Sequence, residues 1–235
     1  MKKLLIITCF FLLASACLYS GPRHLISRSI TRSRATVHPY QLIIFASADA
    51  TAGDSYLNVQ GQQRAAYLSE FLLYQNPDGF TIDQANQPIH AFYTPNDNSG
   101  DFYATHALQT ITPIFHQANA VRIEQTAGSK GPLTINQNYS LAMSPEVLKD
   151  MLFDGNATSL QGKTVIVCWK LEQISQNADG LFGDPQVQQY FQNALSHLDG
   201  LGTDPTNVWV IQWNQETPTG TTIKQLGGNG FNNVP

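Results

Sequence analysis

Residues 41–50 read QLIIFASADA. Leu42, Ile43, Ile44 and Phe45 form an apolar run without alternation, the mark of a strand covered on both faces rather than half exposed to water. Such strands belong to open α/β sheets, which gather ligands at the carboxyl ends of their strands. Here that end is built from Ala46, Ser47 and Ala48, followed by Asp49. The place where chemistry is expected carries almost nothing reactive.

Outward from this strand, β-rich and helical patterns alternate. Asn58 stands where a helix N-cap is needed, ahead of Ala65, Ala66, Leu68, Phe71 and Leu72 at helical spacing. HAFYT (residues 90–94) reads as a strand, and residues 101–116 as a helix with an apolar stripe of Ala104, Ala107, Leu108, Ile111 and Phe115. VRIEQ (121–125) reads as a short strand, and Ser144-Pro145 opens a helix with proline at its tolerated first position. KTVIVCW (163–169) is the strongest buried-strand signal. Asp184-Pro185 opens a helix to about residue 197, and strands follow at 207–213 (NVWVIQW) and 221–226 (TTIKQL). The alternation predicts an α/β three-layer sandwich, a mostly parallel central sheet flanked by helices.

The 235 residues divide by composition into a signal peptide at 1–16, a basic tether at 17–38, one domain at 39–226 and a Gly/Asn-rich tail at 227–235. Lys2 and Lys3 precede an apolar run that falls short of the roughly 20 residues a membrane-spanning helix requires. Ala14-Ser15-Ala16 before Cys17 then completes an export signal. Two routes fit it: cleavage at a small-residue site, or lipidation of Cys17 as in bacterial lipoproteins. Either predicts an exported protein, in the periplasm, lipid-anchored in the cell envelope, or secreted.

Charge is divided unevenly. All 17 carboxylates lie after residue 38, against seven Lys and Arg there, an excess of ten negative charges. Arg23, Arg28, Arg32 and Arg34 make the preceding segment basic, suited to anionic lipid or simply to solvent. An acidic domain argues against nucleic acid, whose binding depends on basic patches. Cys168 is the only cysteine after Cys9 and Cys17, so no disulfide can form within the domain, and its setting in TVIVCW reads as core packing rather than a nucleophile.

Five pieces in order, LIIFASAD, LNVQGQQRAAYLSEFL, YTPNDNSGDFYATHALQTITPIF, KTVIVCWKLEQI and NVWVIQW, resemble the histidine phosphatase (phosphoglycerate mutase-like) superfamily across residues 40–213. The resemblance implies a phosphoglycerate mutase-like fold and a pocket of two Arg and two His. One His attacks phosphorus, and the surrounding cations stabilise the equatorial oxygens. The family's Arg-His-Gly at the end of strand 1 matches Ala46-Ser47-Ala48. Its second Arg matches His106, three residues ahead of a retained Gln109-Thr110. Its second His, in a branch reading Trp-Glu-His, matches Leu171 in WKLEQI, which keeps Trp169 and Ile174. Arg64 and Arg122, the domain's only arginines, match no pocket position, and Glu124 and Glu146 read as surface residues rather than a general acid.

Loss of one transition-state donor typically lowers a rate by about 10²–10³, so four replacements that include the nucleophile leave the family mechanism without its parts. No catalytic residue and no cofactor are expected. The leading expectation is a pseudophosphatase with a binding or scaffolding role toward an unidentified small molecule or protein, its cleft lined by Ser47, Asp49, His106, Trp169 and Lys170. The rival is a phosphatase or other hydrolase using Ser47 and His106, since Ser, His and a carboxylate such as Asp49 are the parts of a nucleophilic triad. It lacks the Gly-x-Ser-x-Gly elbow. Asp49, Asp54, Asp97 and Asp101 are loop carboxylates without a metal-binding spacing, and no metal is expected.

Overall fold

In the computed structural model of the chain, residues 38–51, 53–74, 82, 89–96, 102–126, 132–154, 157–214 and 217–224 are described. The signal, all of the tether but residue 38, the tail, and Asp97 and Asp101 lie outside them. Strand β1 (Gln41–Ala46) is followed by helix α1 (Val59–Tyr74), β2 (Ile89–Tyr93), α2 (Phe102–Thr126) and β3 (Ile135–Asn136). Then come α3 (Ser144–Leu152), α4 (Ala157–Leu160), β4 (Thr164–Trp169), α5 (Pro185–Leu195), β5 (Asn207–Asn214) and β6 (Thr217–Lys224).

The six strands form one sheet in the order β3-β2-β4-β1-β5-β6. Pairings β2–β3, β2–β4 and β1–β4 are parallel, whereas β1–β5 and β5–β6 are antiparallel, so the sheet is mixed and mostly parallel. β1 is central, paired residue for residue with β4 from Gln41↔Thr164 to Ala46↔Trp169. Every residue of β1 and β4 is buried, because successive side chains feed two different cores. Leu42, Ile44, Val165, Val167 and Trp169 pack on one face with Val147, Leu148, Met151, Val187 and Phe191 of α3 and α5. Ile43, Phe45, Ile166 and Cys168 pack on the other with Leu68, Phe71, Ala107 and Ile111 of α1 and α2. This is the expected α/β three-layer architecture.

Three local expectations change. The chain at 121–125 is not a strand but the last turns of α2. Ala104, Ala107, Ile111, Ile114 and Ala118 are buried, and half-buried Val121 continues their spacing, so the helical period runs through Pro113 to the end. A five-residue window holding Val and Ile at alternate positions fits either period. In α1, Ala66 is exposed, and Arg64 takes the buried place beside Ala65 and Leu68. The last strand begins at Thr217 rather than at 221, because its β5 partner extends to Asn214 and the two pair along their whole lengths.

Helix ends follow their sequence signals. The Asn58 side chain accepts from the Gly61 amide at 2.8 Å, and the Asn58 amide donates to the Asp49 carbonyl at 3.2 Å. A Cβ on Gly61 would lie 2.0 Å from that same carbonyl oxygen, so only glycine lets α1 start this close to the loop that leaves β1. Gly61→Ala gains about 1 kcal/mol of helix propensity, but overpacking against backbone costs about 1–3 kcal/mol or more. The expected outcome is a net loss of stability, read as a lower urea midpoint at unchanged m-value.

At α5, the Asp184 carboxylate accepts from the amides of Gln186 (2.8 Å) and Val187 (3.2 Å) and lies 3.4 Å from the Lys149 ammonium. Partial desolvation would raise its pKa, but the two amides and Lys149 outweigh that and hold the carboxyl below its usual value. A depressed carboxyl contributes stability above its unfolded pKa of about 3.9 and loses it as pH falls through the folded value. Asp184→Asn should keep the cap while flattening this acid-side dependence; Asp184→Ala should lose about 1 kcal/mol at neutral pH. Urea titrations at pH 7 and at pH 3 separate the two.

Candidate functional site

Because β1, β2 and β4 are parallel, their carboxyl ends share one edge of the sheet. Antiparallel β5 starts at that edge, which brings in the loop that carries Pro205. There the chain leaves a cleft of about 290 Å³, bounded by Ser47, Asp49, Asp54, Phe102, Tyr103 and His106, with Leu171, Glu172 and Pro205 across from them. The structure thus gathers Ser47, His106 and Leu171, three positions far apart in sequence. Ala46 is fully buried beneath them as the last residue of β1.

One face of α2 builds the cleft's near wall. His106, Gln109 and Thr110 fall within one turn, at the i, i+3 and i+4 spacing that puts side chains side by side, and all three hold the 47–57 loop. The Thr110 hydroxyl accepts from the Ala48 amide at 2.8 Å and donates to the His106 carbonyl at 2.7 Å. Gln109 accepts from the Leu57 amide at 2.8 Å and donates to the Ser55 carbonyl at 3.3 Å. His106 Nε2 lies 2.7 Å from the Asp54 carbonyl oxygen. A carbonyl only accepts, so Nε2 carries the proton and donates. Buried and edge-on to Tyr103 at 5.8 Å, His106 acts here as a fastener of main chain.

Ser47 donates its amide to the Trp169 carbonyl at 2.9 Å, and among the described residues its hydroxyl has no hydrogen bond. No hydrogen bond joins it to His106, and exposed Asp49 does not orient the imidazole. A Ser-His-Asp relay is therefore not assembled, although Ser47, Asp49 and His106 share the cleft. Two expected lining residues need correction. Trp169 is fully buried in the core, its indole N–H donating to the Ser144 hydroxyl at 2.8 Å, because strand alternation turns it toward α3. Half-buried Lys170 stands beside the cleft rather than in its wall, with its ammonium 4.0 Å from the centroid of the Tyr103 ring.

Arg64, which matches no pocket position in the sequence resemblance, is nonetheless at the site. It is 4% exposed and donates to the carbonyls of Ser47 and Pro205, one on each side of the cleft floor. Burial pushes its pKa down from the ordinary value, while Asp49, Cys168 and Asp204 pull it back up. A guanidinium stays charged through such shifts. The signal was present in the sequence: Gly61, Arg64, Leu68, Phe71 and Leu72 recur at the period of one buried face. Arg122 is half-buried far along α2 and Glu146 is exposed in the first turn of α3; neither lines the cleft. The side chain of Glu124 lies outside the description.

Cys168, beside Arg64, is fully buried, and burial pushes its thiol pKa far up against a smaller opposing pull from Arg64. It is an unreactive core residue. Among the described residues, no group of three His, Cys, Asp or Glu could hold a metal ion, and no helix is long and apolar enough to cross a membrane.

The sequence matches no protein-family profile. No curated protein matches it either. A solved structure similar to the chain is that of SixA from Agrobacterium tumefaciens, described as a candidate phosphohistidine phosphatase. The two share 12% identity at a TM-score of 0.36, over 74% of this chain and 92% of that one. A likeness at this level assigns no residue role here.

The Thr110 hydroxyl is the one described acceptor for the Ala48 amide, so Thr110→Val should strand a buried N–H at a cost of about 1–3 kcal/mol. Thr110→Ser should restore most of it. Denaturant midpoints report the loss, and faster amide exchange at Ala48 locates it.

Proposed function

We propose that this chain is a non-catalytic relative of the histidine phosphatases, an exported pseudophosphatase whose cleft binds a ligand that is not an anion. One observation carries the reading: the described lining holds three carboxylates, Asp49, Asp54 and Glu172, and no Lys or Arg. A phosphoryl dianion there meets like charges, repelled by on the order of 4 kcal/mol per pair of unit charges at 4 Å and an effective dielectric near 20. The buried guanidinium of Arg64 donates through its two terminal nitrogens to backbone carbonyls and does not line the cleft. The four positions that the resemblance assigns to phosphate chemistry hold Ala46, Ser47, His106 and Leu171, none of which supplies both a nucleophile and a fixed cation. The proposed ligand is uncharged or cationic. The reading includes export through residues 1–16, with Cys17 either lipidated or removed with the signal, and a basic segment that favours an anionic membrane surface.

The rival reading, a hydrolase using Ser47 and His106, rests on the two residues sharing a cleft. It requires the other ring nitrogen of His106, Nδ1, to reach the Ser47 hydroxyl, a contact the structure does not make. Full-length protein assayed with a generic phosphate monoester and a generic carboxyl ester should show no turnover, and calorimetric titration with inorganic phosphate should show no binding. Turnover that disappears in Ser47→Ala would overturn the pseudophosphatase reading in favour of the rival.

A further inference from the structure

We propose that the Tyr103 ring at the cleft rim is a subsite for an organic ammonium group, occupied by Lys170 in the free protein, so that a cationic ligand enters by displacing the Lys170 ammonium. This rests on the cleft being a ligand site and narrows the ligand to amines and quaternary ammonium compounds. The structure already holds an ammonium on the ring, with Lys170 Nζ 4.0 Å from its centroid. That distance is well inside the roughly 6 Å over which a ring quadrupole attracts a cation.

Among the described residues, Lys170 makes this contact rather than an ion pair, although Asp49, Asp54 and Glu172 all bound the neighbouring cleft. Tyr103 is 39% exposed and neighbouring Phe102 is 44% exposed, so the first turn of α2 presents two aromatic faces at the rim. Exposed cation–π pairs are weak, and desolvated ones are several times stronger. A ligand ammonium held between the ring and the cleft carboxylates therefore outcompetes a lysine side chain that remains half in water. Lys170 is at once a competitor and a stand-in, and it stands immediately before the turn that carries Leu171 and Glu172 to the opposite wall.

The test titrates full-length protein with choline, with its neutral isostere 3,3-dimethyl-1-butanol and with inorganic phosphate, followed by NMR. In the free protein the Lys170 methylene protons should be shifted upfield by the Tyr103 ring. Choline should return them toward ordinary positions as it binds in the millimolar range, and the isostere should not. Lys170→Met should tighten choline binding about three- to tenfold, and Tyr103→Leu should weaken it about tenfold, with Tyr103→Phe near wild type.

Simple charge repulsion by Lys170 would also predict the first gain, but it would persist in the Tyr103→Leu background; displacement requires that it vanish there. A persistent gain, an unmoved Lys170 on saturation, or no choline binding at tens of millimolar would each overturn the ammonium subsite. Binding of the neutral isostere alone would leave the cleft as a ligand site while removing this inference. Binding of phosphate would instead bring down the reading of the cleft on which it rests.

Discussion

The molecule is organised by a strand that cannot afford water on either face and must still hand its backbone on at its end. β1 is fully buried between two cores, so the polar groups that follow Ala46 need partners at once. The Ser47 amide goes to β4, the Ala48 amide to the Thr110 hydroxyl, and the Ser47 carbonyl to Arg64. Each partner comes from a different element: a neighbouring strand, the second helix and the first helix. Satisfying this short stretch of main chain therefore fixes how α1 and α2 sit against the sheet edge. The cleft is the space left between those anchors and the turn that follows β4.

This arrangement explains why the cleft can be well formed and chemically quiet together. Arg64 and His106 are the groups most suited to charge or proton work, and both are committed to backbone carbonyls. Thr110 and Gln109 are used in the same way. Polar side chains at the carboxyl edge of the sheet thus hold loops in place, and the surface left over is carboxylate and aromatic.

The fold was legible where hydrophobic period is strong. The unbroken runs in β1 and β4 announced strands buried on both faces, and the turn chemistry at Asn58 and Asp184 located helix starts. Residues 121–125 are ambiguous in sequence because Val and Ile spaced by two satisfy a strand and the end of a long helix equally; only the stripe from Ala104 onward decides. Trp169 belongs to the core although it ends β4, because sequence gives a residue's proximity to a strand end but not the face on which its side chain emerges. At Arg64 two signals conflict: charge suggests surface, while its spacing with Gly61 and Leu68 points inward, and the spacing is the one the structure follows.

Cys168 bears on where such a domain can exist. It is the only sulfhydryl after residue 17, sealed in the core between the sheet and α1 and α2, with its thiolate made inaccessible by burial. The domain needs no disulfide to fold and offers no accessible thiol for an oxidant to attack. Its fold therefore carries no thiol–disulfide dependence, and a reducing or an oxidising surrounding leaves the Cys168 core packing the same.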